Sequence, residues 1–159
     1  MKIEIISVGK VREKYIKLGI DEFKKRLQPY CKLILTEVRD EPAPENLSEK
    51  QLEQVKGVEG ERILQKTNPN AFVVALDLTG VAWSSEQMAK ELENIAVRGH
   101  HHIVFVIGGS NGLSEEVLQR ANMKVSFSKL TFPHQLMKLI LLEQIYRAFK
   151  IQRGEPYHK

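Results

Sequence analysis

At 159 residues the chain has the length of one domain with a core of its own, too long for a peptide scaffold and short for two domains. A composition of 42% apolar and 28% charged residues excludes a disordered or collagen-like chain, and the single cysteine, Cys31, excludes an intrachain disulfide and a thiolate zinc cluster. The net charge is +4, no apolar run nears the roughly 20 residues of a membrane-spanning helix, and no signal-peptide core follows Met1-Lys2-Ile3-Glu4, so a soluble, cytoplasmic protein is expected.

Residues 3–8 are rich in β-branched side chains and stop at Gly9, which predicts a first strand. Tyr15, Ile16, Ile20, Phe23 and Leu27 then recur at helical spacing up to Pro29. Residues 33–38 read as a second strand, and residues 40–45, with two prolines and three acids, as a loop. Ser48 and Gln51 form a capping-box pattern that opens a helix carrying Leu52, Val55, Ile63 and Leu64, weakened by Gly57 and Gly60. Residues 71–76 form a nearly all-apolar strand, as expected where both sheet faces are covered. Ser84 with Gln87 caps the next helix, and residues 103–107 repeat the buried-strand pattern. Ser114 starts a short helix, residues 125–128 give a last strand, and Pro133 opens a helix running to about Ile151. Strands alternating with helices predict an α/β fold with a mainly parallel sheet flanked by helices. In such folds ligands sit at the carboxyl ends of the strands, here the loops after Leu76, Ile107 and Ser128.

Gly108-Gly109-Ser110-Asn111-Gly112 follows a strand and precedes a helix, yet it matches neither the dinucleotide-binding fingerprint nor the P-loop, because residue 110 is Ser and residue 113 is Leu. Asn111-Gly112 is a turn in its own right; two further glycines suggest a ligand lying close to backbone. His100, His101 and His102 are adjacent, point to alternating faces, and are read as a solvated strand entry rather than a metal site. The last helix is apolar around almost its whole circumference, which requires a core or a subunit interface. Within it Glu143 and Arg147 are spaced i, i+4 as a partly buried ion pair, either fixing an interface or bordering an active site. Beyond it, Tyr157 and His158 after Gly154 and Pro156 read as a tail that docks.

Charge is segregated along the chain. Residues 10–32 hold eight Lys/Arg against three acids, residues 37–61 hold three against eight, and residues 121–159 hold seven against two. Lys24, Lys25 and Arg26 fit the solvated face of an amphipathic helix, and equally a polyanion contact.

Four stretches together resemble the RlmH family of SPOUT methyltransferases. They are residues 105–113 (FVIGGSNGL), 126–135 (SFSKLTFPHQ), 143–148 (EQIYRA) and 156–158 (PYH). The similarity runs from Val8-Gly9-Lys10 to Tyr157-His158. It implies a C-terminal trefoil knot, which general connectivity rules treat as rare, and a homodimer packed through the knot and the last helix. It implies methyl transfer from S-adenosylmethionine, without a metal, to N3 of a pseudouridine in large-subunit (23S) ribosomal RNA, in the hairpin facing the decoding site of assembled ribosomes. Carried over by position, cofactor contacts fall on Leu76, Gly108, Phe127, Ser128, Lys129, Leu130, Thr131 and Phe132. Catalytic positions fall on Glu143, Arg147, Tyr157 and His158, with His134 beside the cofactor loop. His158 is the first candidate to take the N3 proton, Tyr157 to stack on the uracil ring, and Arg147, oriented by Glu143, to stabilise an imide anion. The resemblance implies Arg in many relatives where this chain has Lys138, which weakens the case for a bidentate phosphate or carboxylate contact there. Two contrasting readings are a non-catalytic RNA-binding module and a flavodoxin-like nucleotide-binding enzyme.

Overall fold

The computed structural model describes residues 1–159. In chain order the elements are β1 (Lys2–Val8), α1 (Lys14–Leu27), β2 (Lys32–Val38), α2 (Glu49–Lys66), β3 (Phe72–Ala82), α3 (Ser85–Val97), β4 (His102–Ile107), α4 (Glu115–Arg120), β5 (Met123–Ser126) and α5 (His134–Gln152). The five strands form one sheet in the order β2-β1-β4-β3-β5, and every neighbouring pair is parallel.

Side-chain alternation in the central strands sorts the core into two layers. Ile3 and Ile5 of β1 and Ile103, Phe105 and Ile107 of β4 point to one face, where Ile16 and Ile20 of α1, Leu92 and Ile95 of α3 and Leu141, Leu142 and Ile145 of α5 cover them. Ile6 and Val8 of β1 and Val104 and Val106 of β4 point to the other, under Ile63 of α2 and Val117 of α4. Both faces are therefore dry, and the all-apolar strands are explained. Running diagonally across β2, β1 and β4, a polar chain joins Thr36, which donates to Glu4 at 2.6 Å, and His102, 3.1 Å from the same carboxylate. His100 packs against Phe72 instead, so the adjacent histidines diverge.

Both anticipated capping boxes form, at Ser48/Gln51 and Ser84/Gln87, and Ser114 accepts from the Val117 N–H. Several boundaries shift by a residue or two, and three differences have a visible cause or consequence. β3 continues past Leu76 to Ala82, with a register break between Leu76 and Val81, and pairs with β5 on both sides of the break. β5 ends at Ser126, because Ser126 donates to the Ser128 carbonyl at 3.0 Å and the Leu130 N–H donates to Ser128 Oγ at 2.9 Å, which turns the chain away from the sheet. Pro133 caps α5 rather than occupying its first turn: its backbone is extended and its carbonyl accepts from the Met137 N–H at 2.9 Å.

Candidate active site

The register break after Leu76, the glycine loop after β4 and the segment leading into α5 meet at the carboxyl end of the sheet, around a cleft of about 650 Å³. That volume suits a nucleoside-sized ligand. Its walls are mainly apolar and backbone: Leu76, Leu78 and Ile107 from the strands, Gly108 to Leu113 from the loop, and Leu130, Thr131, Phe132 and Met137 from the last segment. The charged side chain in the lining is Asp77, whose carboxylate accepts from the Thr79 N–H at 3.1 Å and from the Thr79 hydroxyl. His134 closes one side, and burial lowers its pKa below the ordinary value.

The glycine loop is a closed turn. Gly112 adopts φ +89° and its N–H donates to the Gly109 carbonyl at 3.1 Å. A Cβ on Gly108 would lie 3.0 Å from the Gly112 carbonyl carbon and oxygen, so Gly108 is held small by the loop itself as well as by the cleft. In the facing segment Ser128 takes the Leu130 N–H, whereas the N–H groups of Thr131 and Phe132 have no partner in the chain. Two free donors beside an apolar slot can read the edge of a base.

Of the residues anticipated at a cofactor site, Leu76, Gly108, Leu130, Thr131 and Phe132 line this cleft. Phe127 lines a smaller neighbouring cavity of about 210 Å³, shared with Trp83, Ile140 and Gln144, to which Phe132 also belongs. Ser128 shapes the turn, and Lys129 lies outside both linings. Asp77, Leu78 and Met137 were not anticipated. Asp77 and Leu78 fall in the loop expected after Leu76 but carry no individual signal, and Met137 reads as one more apolar residue of a buried helix.

Glu143, Arg147, Tyr157 and His158 gather into one network. Arg147 Nη2 donates to Glu143 Oε2 at 2.6 Å, the Tyr157 hydroxyl to the same oxygen at 2.7 Å, and Gln144 to Oε1 at 2.8 Å. Arg147 Nη1 lies 3.0 Å from His158 Nδ1, and His158 Nε2 lies 2.6 Å from Glu86 in the first turn of α3. A guanidinium only donates, so Nδ1 accepts and Nε2 carries the proton shared with Glu86. Burial alone would push the Glu143 carboxyl up, but the bonds from Arg147 and Tyr157 outweigh it and hold it below its ordinary value. Burial, reinforced by the bond to Glu143, raises the Tyr157 phenol. The Tyr157 ring sits edge-on to Tyr146 at 4.9 Å and 4.8 Å from the Arg147 guanidinium, so the tail is docked rather than frayed. Glu86 was not foreseen, because an acid in a first helical turn needs no special role.

Within one chain Arg147, Tyr157 and His158 lie outside the cleft lining, and the network approaches it only through Gln144, which lines the smaller cavity with Phe132. Met137 and Arg147 are ten residues apart on α5, about 15 Å along its axis.

A family model described as "Predicted SPOUT methyltransferase" matches residues 1–158. Over all 159 residues, with both chains fully covered, the sequence is 59% identical to "Ribosomal RNA large subunit methyltransferase H" of Clostridioides difficile (strain 630). It is 57% identical, again with both chains fully covered, to the protein of the same name from Bacillus pumilus (strain SAFR-032).

Proposed function

The chain belongs to the RlmH family of SPOUT methyltransferases, and from that premise we propose that it methylates large-subunit (23S) ribosomal RNA, using S-adenosylmethionine, at N3 of a pseudouridine in the hairpin facing the decoding site of assembled ribosomes. The observation that carries the cofactor reading is the cleft: apolar walls, free Thr131 and Phe132 N–H groups and Asp77 as its charged lining. A flavin or dinucleotide brings phosphates, which call for cations or an open helix N-terminus. Here the first turn of α4 beside the glycine loop carries Glu115 and Glu116. A nucleoside bearing a sulfonium has no phosphate to place. A module that only bound RNA would have no use for the slot.

The residues present fit that cofactor. Thr131 and Phe132 offer main-chain donors to adenine, Leu76, Leu130 and Phe132 offer apolar faces, and Gly108 and Gly109 offer bare backbone. When bound, S-adenosylmethionine supplies an already activated methyl group. What remains for the protein is to orient N3 and manage its proton, a task of positioning and electrostatics. Arg147, kept cationic and aimed by Glu143, suits stabilisation of a developing imide anion. Tyr157 offers a ring face for stacking. His158 accepts a proton at Nδ1 only after Arg147 releases that nitrogen, so substrate entry must rearrange the network before His158 acts as a base.

Because Arg147, which carries the His158 end of the network, lies about 15 Å along α5 from Met137 in the cleft wall, the reading includes a homodimer in which the tail of one protomer meets the cleft of its partner. It also includes a single SPOUT domain over residues 1–159, a trefoil knot near the C-terminus and a cytoplasmic location, where ribosomes are. No helix is long and apolar enough to cross a membrane. Incubation with labelled S-adenosylmethionine and, separately, free rRNA, large subunits and whole ribosomes tests it. Label at N3 of one pseudouridine, on whole ribosomes, is expected; label on another base, or none, overturns the substrate assignment.

A further inference from the structure

Next to the cleft lies a second cavity of about 470 Å³, which shares Gly109, Ser110, Asn111 and His134 with it as a common wall. Its far wall is acidic, built from Asp40, Glu41, Glu45 and Glu59. Glu41 is already paired with Arg62 at 2.7 Å, and neither cavity has a Lys or Arg in its lining.

Glu59, on α2, is 4% exposed. Its Oε2 accepts from the Glu41 N–H at 3.0 Å, but its Oε1 is buried without any hydrogen-bond partner. A Cβ built on Gly109 would sit 3.4 Å from that oxygen and 3.5 Å from Oε2, so the carboxylate lies against the bare backbone of the glycine loop, the wall that the two cavities share. A buried carboxylate oxygen left unpaired is costly, and a donor arriving with a ligand removes the cost. Burial also raises the Glu59 pKa, and a cation at Oε1 would oppose that shift. The carboxylates of this wall do not gather into a metal-ligand set. An ammonium, with its three donors and one charge, matches what is missing.

We infer that Glu59 binds the α-ammonium of the methyl donor's amino-acid end, with Asp40 adding to the field, an assignment that rests on reading the cleft as the S-adenosylmethionine site. The nucleoside then occupies the slot between residues 76 and 132, and the amino-acid end passes Gly109 into the acidic cavity. Access requires the outer wall to give way. Residues 42–47 make no backbone–backbone hydrogen bond, so their displacement breaks none.

Calorimetric titration with two probes tests this. S-adenosylhomocysteine carries the ammonium; methylthioadenosine lacks the whole amino-acid end. Glu59→Gln keeps the side-chain volume and the acceptor for Glu41. It should weaken S-adenosylhomocysteine by about tenfold or more while leaving methylthioadenosine within about twofold, and that unchanged binding also reports a folded cleft. Asp40→Asn, at an exposed position that cannot perturb the core, should give a smaller loss confined to S-adenosylhomocysteine. Equal losses for both probes in Glu59→Gln, or no loss for either in both variants, overturns the role of Glu59. Should Glu59→Gln fail to fold, Asp40→Asn decides alone, and an unchanged S-adenosylhomocysteine affinity there overturns the acidic-wall assignment. Failure of the wild-type protein to bind either probe instead removes the cofactor reading on which the inference rests.

Discussion

Gly108 shows how one position can satisfy two demands. A methyl group there would press on the Gly112 carbonyl at 3.0 Å, so even Gly108→Ala must shift the loop, and Gly108→Val must open it. Alanine should therefore weaken S-adenosylmethionine measurably and valine abolish its binding in calorimetry; an unchanged affinity for the valine variant takes Gly108 out of the site. From the sequence, a close ligand alone accounts for the glycine. The contact with Gly112 lies within the loop and follows from a turn whose closure no pattern of residue types specifies. His134 makes a pH prediction. Burial depresses its folded pKa below the ordinary 6.5, so on acidification the unfolded chain takes up the proton first. The stability cost is absent above about 6.5 and grows as pH falls from there towards the folded value. Urea unfolding at a series of pH values should show a stability slope in that window that His134→Gln flattens, and equal slopes in the two proteins would contradict it.

The elements differ in how far they could be read in advance. Alternation of Ile3 and Ile5 with Ile6 and Val8, and the Ser48/Gln51 and Ser84/Gln87 boxes, are local signals, and the corresponding strands and helices form where expected. The extension of β3 was hidden because Asp77-Leu78-Thr79-Gly80 reads as a turn and its partner, β5, is remote in sequence. Gly60 looked like a weakness in α2. In fact a side chain there would collide with Ser114, so the glycine lets α4 approach α2. The tail was legible as chemistry but not as geometry, since its anchor Glu86 stands on α3. Its contacts are polar or aromatic and peripheral to both core layers, so a chain truncated after Gly154 should fold with nearly unchanged stability yet lose methyl transfer on ribosomes. Tyr157→Phe removes only the bond to Glu143, keeps the ring against Tyr146, and should retain part of the turnover. Wild-type turnover by the truncated chain would leave Arg147 and Glu143 as the remaining candidates.

On the scale of the whole molecule, self-association and charge are linked to where the surface is left uncovered. No residue of α5 is fully exposed, because α1 and α3 flank it, so its apolar circumference is largely used within the protomer. The apolar groups left in water near the cleft are Leu78, Val81 and Leu130, at 62%, 64% and 70% exposure, and a dimer that hides them is expected by sedimentation at micromolar concentration. Leu130→Glu should shift that equilibrium towards monomer. The basic blocks at the two ends of the chain, unrelated in sequence, converge in space. The Arg26 guanidinium lies 5.6 Å from the Tyr146 ring, the Lys150 ammonium 5.4 Å from the same ring, and the Arg153 guanidinium 4.4 Å from Tyr30. Lys24 and Lys25, which precede Arg26 on α1, are exposed. Arg26 and Lys150 are partly neutralised by Glu22 and Glu155, each at 3.0 Å, so the face keeps less positive charge than its residue count suggests. If this face holds ribosomal RNA, each phosphate it neutralises releases counterions, and binding must weaken as salt rises. Replacing Lys24, Lys25 and Arg153 with Gln should lower affinity at low salt and flatten the logarithmic salt slope by about 0.7 for each single-stranded RNA phosphate left unneutralised. Methyl transfer at saturating ribosome concentration should change little, because these side chains lie in neither the cleft lining nor the tail network. An unaltered slope would assign the cations to an ordinary solvated helix face, and RNA positioning would then fall to the tail itself.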